Sequence, residues 1–219
     1  MAFTYFFRDT HTLEKSIEQF VPFVIGYQNI YIWDAGCASG QEAYSLAMLC
    51  AEHMGYFAFK NLQIDATDID ASNLFADIIR RGLYPSDQVQ RIPPYYHQKY
   101  FTGNEKGDHY GIDSKLCKHV RFYKHDLLSL QPIRTNYSLI VCKNVLLHFN
   151  EMERRKIMAL FYQCLRSGGF LAMEQTQKMI HGFEDKFTLV ATDAQLYRKI
   201  DTVDNSMVIS DCKTTSAYY

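Results

Sequence analysis

Tyr31-Ile-Trp-Asp-Ala-Gly-Cys-Ala-Ser-Gly-Gln-Glu-Ala-Tyr44 decides the fold of this chain. Three β-prone residues, Tyr31 to Trp33, run into a turn bracketed by Gly36 and Gly40, and a helical period starts at once. Ala43, Leu46, Ala47, Cys50, Ala51 and Met54 recur at helical spacing as one apolar face, which Gly55 is placed to end. Strand, glycine turn and helix in that order open a nucleotide site. Glycine, having no Cβ, takes positive φ and lets a ligand approach the backbone closely.

The spacing is Gly-x-x-x-Gly, without the third glycine of the dinucleotide fingerprint. Glu42 stands in the first helical turn, where a pyrophosphate would otherwise rest on free N–H groups. Its carboxylate repels phosphate and suits a ligand with hydroxyl or ammonium donors, a description that S-adenosylmethionine (SAM) meets. The same stretch read without a ligand is a plain βα turn of a Rossmann-like sheet.

Composition narrows the classes. A chain of 219 residues suits one domain with one large core. With 47% hydrophobic and 15% aromatic residues, disorder is not the expectation. Lys+Arg number 23 against 24 Asp+Glu, so the basic excess of a nucleic-acid binder is missing. The one local excess, from Lys115 to His125, reads as a solvated strand or loop. The six cysteines form no C-x-x-C pair and several occupy apolar positions, which implies reduced core thiols, a cytoplasmic protein and no metal. No signal peptide is visible, and no apolar run reaches the roughly 20 residues of a membrane span. Membrane insertion is not expected.

Taken in order, the chain opens with an aromatic-rich segment, Ala2 to Asp9, in which Arg8 stands beside three phenylalanines. A guanidinium there could hold a carboxylate in a two-pronged pair. A helix is predicted from about Thr12, with Pro22 ending or bending it. A second strand, Leu62 to Asp68, ends in an acidic residue of the kind that binds ribose hydroxyls in doubly wound folds. Asp70 reads as the N-cap of the next helix, which runs to Gly82. From Tyr84 to Lys118 the βα rhythm breaks, and about residues 86–119 read as an inserted small antiparallel subdomain. The sheet resumes at Val120–Tyr123, before His125-Asp126-Leu127, and Tyr137–Cys142 ends in Lys143-Asn144. Asn150 with Glu153 forms a capping-box variant for a helix that Gly168-Gly169 stops. Phe170–Met173 is the next strand, and Phe187–Val190 with Gln195–Ile200 a hairpin. Residues 201–219 read as a loose tail.

The expected fold is therefore α/β, a Rossmann-like three-layer sandwich over residues 1–200 with a mostly parallel sheet and an antiparallel last strand. Ligands in such sheets bind at the carboxyl ends of strands. Gly36, Asp68, Asp126 and Asn144 all fall there.

These motifs together resemble the CheR-type chemotaxis receptor glutamate O-methyltransferases. Phe3-Thr-Tyr-Phe-Phe-Arg-Asp9 is similar to that family's Leu-Thr-x-Phe-Phe-Arg-Glu, and Trp33–Tyr44 to its glycine turn ending Gly-Glu-Glu-Pro-Tyr. Ala66-Thr-Asp-Ile-Asp70 with Gly82-Leu-Tyr84, and Cys142-Lys-Asn-Val-Leu-Leu-His-Phe149, follow two more of its motifs in order. The resemblance implies a SAM-dependent methyltransferase with S-adenosylhomocysteine (SAH) as product. It implies that Thr4, Arg8, Glu42, Asp68, Asp126, Leu127, Lys143 and Asn144 surround the cofactor, with Asp68 on the ribose and Arg8 also orienting the acceptor. The acceptor would be a carboxylate of a protein or a small molecule.

Three departures accompany it. The family's N-terminal helical domain has no counterpart before Thr4, Lys143 replaces an arginine and His148 a tyrosine, and Glu174-Gln-Thr-Gln177 stands where the family has Gly-His-Ser-Glu. His148 opens a second reading, a small-molecule O- or N-methyltransferase with His148 as general base. A third is a SAM-binding sensor or scaffold without turnover.

Overall fold

The computed structural model describes residues 4–201, so all of the predicted tail except Asp201 lies outside the described residues, as does Phe3 of the first motif. The chain enters α1 (Thr10–Val24), whose apolar side, with Leu13, Ile17, Phe20 and Val24, is buried. Pro22 neither ends nor visibly interrupts it, because it falls in the last turn. Then come β1 (Ile30–Ala35), α2 (Gln41–His53), α3 (Tyr56–Lys60), β2 (Leu62–Asp68) and α4 (Phe75–Arg81).

The insertion follows as β3 (Leu83–Pro85), α5 (Ser86–Val89), α6 (Pro94–Tyr100), β4 (Phe101–Gly103), β5 (His109–Ile112) and α7 (Ser114–Cys117). Its three strands form a separate antiparallel sheet in the order β3-β5-β4, and the first strand begins three residues before the expected boundary at 86. The main chain resumes with β6 (Val120–Lys124), β7 (Tyr137–Cys142), α8 (Glu151–Cys164), β8 (Leu165–Met173), β9 (Phe187–Leu189) and β10 (Leu196–Lys199).

The large sheet has seven strands in the order β6-β2-β1-β7-β8-β10-β9. β1, β2, β6, β7 and β8 are parallel to one another, while β10, the last strand among the described residues, runs antiparallel to both β8 and β9. Strand order reverses between β1 and β7, and a crevice opens there at the carboxyl ends. Helices cover both faces. Ile30 and Ile32 of β1 join α1 and α2 in one core, whereas Trp33 and Ala35 join α8 in the other. Each large side chain so buried contributes roughly 1.5–3 kcal/mol, which makes this double core the main stabilising term.

Four local expectations are corrected. α2 is not amphipathic over its first ten residues, Gln41 to Cys50, which are all buried, because α1 and the insertion cover the face that would meet water. It stops at His53 with Met54 extended, and Gly55, at φ −64°, caps α3 instead. Gly168 and Gly169 do not stop α8, which ends at Cys164; they lie within β8, where its register against β7 shifts. Asp70 accepts from the Leu74 and Phe75 N–H groups at 3.0 and 3.2 Å, capping α4 across a turn rather than directly before it.

Candidate functional site

A cavity of about 650 Å³ opens at the carboxyl ends of β1, β2, β6 and β7. Its floor is the glycine turn. The Gly36 and Cys37 N–H groups both donate to the Thr67 carbonyl, at 2.8 and 2.9 Å, which ties the turn to the end of β2. Gly36 has φ +97°, and a Cβ there would lie 2.1 Å from Val145 Cγ2, so the turn after β1 and the turn after β7 meet at a point only glycine allows.

Asp68 is aimed by two backbone donors, Ala38 N–H at 3.0 Å and Asp70 N–H at 2.9 Å, one to each oxygen. Asp126 sits at the exposed rim, with one oxygen capping the short turn Leu127–Ser129 through Leu128 N–H at 2.9 Å. Ile69, Leu127 and Leu128 supply an apolar wall beside these two carboxylates.

The opposite wall is built by the N-terminal segment. Phe6 is buried edge-on against Tyr84 and Phe101, and Phe7, at φ 57°, donates its N–H to Ser45 Oγ at 2.9 Å. These anchors, one to the insertion and one to α2, leave Thr4 and Arg8 on the cavity wall. Lys143 closes the corner. Its ammonium, 1% exposed, lies 2.8 Å from Glu42 Oε2 and 3.8 Å from Asp9, and it donates to the Arg8 carbonyl at 2.8 Å.

Behind Glu42 lies Asp34, wholly buried beside the Glu42 carboxyl. Burial first, and the neighbouring Glu42 carboxylate second, hold its proton affinity well above the usual carboxylate range. The Cys37 thiol is also pushed well up by burial and nearby carboxylates, so it is no thiolate nucleophile.

Of the residues singled out in the sequence, Thr4, Arg8, Gly36, Glu42, Asp68 and Asp126 line the cavity. So do Leu127, Lys143, Asn144 and His148. Gly40 does not. Its φ of +91° turns the chain into α2, and it packs against Ile79 and the Tyr84 hydroxyl, so its role is structural. Lys143 borders the cavity with its ammonium committed to Glu42 and the Arg8 carbonyl rather than free for a ligand. Sequence reasoning passed over Ile69, His125 and Leu147 on the wall, and Asp34 beneath it. An acidic residue inside an otherwise apolar strand was the available signal for Asp34, and an isoleucine directly after the acidic strand end, between Asp68 and Asp70, the signal for Ile69.

Glu42, Asp68 and Asp126 present carboxylates, and the nearest ammonium is already paired. A phosphate would meet like charge, whereas ribose hydroxyls and a cationic amino-acid end would meet acceptors. The residues present fit SAM.

The fold and this cavity define a Rossmann-like α/β sandwich of the SAM-dependent methyltransferase class. Residues 2–196 match the family described as CheR methyltransferase, SAM binding domain, and the chain belongs to that family. A chemotaxis protein methyltransferase of Borreliella burgdorferi is 32% identical over 183 residues, covering 80% of this chain and 63% of that protein. One from Listeria monocytogenes is 32% identical over 178 residues, covering 80% and 65%, and chemotaxis protein methyltransferase 2 of Vibrio cholerae is 29% identical over 181, covering 80% and 62%. The chain thus spans somewhat less than two thirds of the length of these relatives.

Proposed function

We propose that this chain binds SAM in the cavity and transfers its methyl group to a carboxylate, of a protein or of a smaller acceptor, giving a methyl ester and SAH. The observation that carries this reading is that Arg8, on the wall built by the N-terminal segment, lines the same cavity as Glu42 and Asp68. Acidic groups are set where a sulfonium nucleoside is bound, and a cationic group is set where an anionic acceptor arrives.

When bound, SAM supplies a methyl group already activated on a positively charged sulfur. The chain's own residues supply placement. Asp68, held by two N–H groups, would accept from the ribose, Ile69, Leu127 and Leu128 would line the adenine side, and Glu42 would take the amino-acid end. Arg8 orients the acceptor carboxylate, its backbone fixed by Lys143. No base is required, since a carboxylic acid with a pKa of about 4 is ionised at neutral pH. Alignment of two bound reactants is then the principal source of rate.

The relatives' names support an acceptor in chemotaxis signalling, and the reading includes a cytoplasmic location. Among the described residues no helix is long and apolar enough to cross a membrane.

Methyl transfer from labelled SAM, followed by a base-lability test of the product, checks the proposal. A base-labile product supports the ester. A base-stable product overturns it in favour of a hydroxyl or amine acceptor, for which His148, exposed on the cavity wall, is the available base. His148→Phe separates the two further, because an ester-forming enzyme keeps its pH profile and a base-dependent one loses its rate. Cofactor binding with no product from any acceptor would identify a sensor.

A further inference from the structure

Glu174 follows the end of β8, outside every motif that defines the cavity. Its side chain is buried, 5% exposed, and its Oε2 accepts the Asn144 N–H at 3.0 Å. Asn144 is the cavity-lining residue after β7, and its backbone is left-handed, φ +58°. A non-glycine residue in that region persists only where its surroundings hold it there.

Three contacts fix this turn. Lys143 is drawn to Glu42, Val145 packs on Gly36, and the N–H between them points away from the glycine turn toward Glu174. The first two contacts come from the β1 side of the crevice. Glu174 supplies the third from the β8 side, through its buried carboxyl oxygen. Asp68 is held by backbone donors and Asn144 by a side-chain acceptor, so the two walls of the cavity are set by opposite devices.

We propose that Glu174 is a positioning residue of this site, holding Asn144 in the left-handed conformation that presents it to the cofactor. The inference rests on the reading of the cavity as a SAM site and adds to it a residue outside the cavity lining. Glu174 acts only through Asn144.

Calorimetric titration with SAH, alongside thermal unfolding of each variant, tests this. Glu174→Ala is expected to weaken SAH binding at least tenfold, while Glu174→Gln, which keeps an acceptor oxygen, stays within about threefold of wild type. In an Asn144→Ala background, which keeps the backbone N–H but removes the side chain that Glu174 would present, Glu174→Ala is expected to add less than twofold. Should Glu174→Ala not fold, Glu174→Met, which retains the stem, carries the same comparison. Undiminished binding in the Ala or Met variant, a Gln variant as weak as Ala, or full additivity with Asn144→Ala each overturns the proposal while leaving the SAM site standing. Failure of the wild type to bind SAH at millimolar concentration overturns both.

Discussion

The Lys143 ammonium and the Glu42 carboxylate meet at 2.8 Å with side-chain exposures of 1% and 10%, joining the end of β7 to the first turn of α2. The same ammonium holds the Arg8 carbonyl, so one buried cation fastens three segments around the cavity. Removing one partner of such a pair leaves a buried charge uncompensated, at a cost of about 3–5 kcal/mol. Lys143→Met should therefore lose stability of that order in urea unfolding. Glu42→Gln/Lys143→Met should recover a large part of it, and equal losses in the single and double variants would show that the pair is not coupled.

Asp34 predicts a pH dependence. An aspartate in the unfolded chain gives up its proton near pH ~4, but the folded protein holds the Asp34 proton to higher pH because of burial and Glu42. Its contribution to stability is complete below that pH and is lost as pH rises toward the folded value. Each tenfold change in proton affinity is worth about 1.4 kcal/mol, and 1 kcal/mol moves Tm by about 2–4 °C at this size. Asp34→Asn should thus melt higher than wild type at pH 8, with the difference shrinking toward pH 4. A difference independent of pH would count against a neutral Asp34.

Asp68 is expected to carry much of the nucleoside affinity. Hydrogen bonds to a charged group contribute about 1.5–3 kcal/mol, so Asp68→Ala should weaken SAH binding by roughly ten- to a hundredfold. The variant also frees the Ala38 N–H, and its Tm separates loss of fold from loss of ligand.

Gly40 and Gly55 should respond to alanine in opposite directions. At Gly40 a Cβ would lie 2.5 Å from Ile79 Cγ1 on a backbone at φ +91°. The left-handed strain alone costs about 1–2 kcal/mol, so Gly40→Ala should destabilise by at least that much. Gly55, with φ −64° and nothing within 4 Å of a Cβ, should gain about 0.4–1 kcal/mol as alanine through reduced unfolded-state freedom. Denaturant midpoints of the two variants check both signs.

Much of the fold was legible because it is local. The glycine turn, the period of α1 and α8, the Asn150–Glu153 capping box and the hairpin of β9 and β10 each depend on residues a few positions apart. Where the reading slipped, a distant element intervened. The face of α2 expected to be polar is buried under the insertion and α1, and Gly168-Gly169, a local stop signal, was absorbed as an irregularity of β8, whose Leu165 and Phe170 on either side pair with β7.

The sequence by itself determined the α/β class, the strand ends where the cavity lies and the acidic character of that cavity, since periodicity and residue type settle these without knowledge of neighbours. Only the tertiary structure decided which groups face the cavity and which are spent on one another. Gly40 turned out to be packing, Lys143 to be bound to Glu42, and Asp34 and Glu174 to stand directly behind the lining. The physical reason is that a side chain's charge state and freedom depend on what surrounds it in space, and most of these partners lie tens of residues or more apart along the chain.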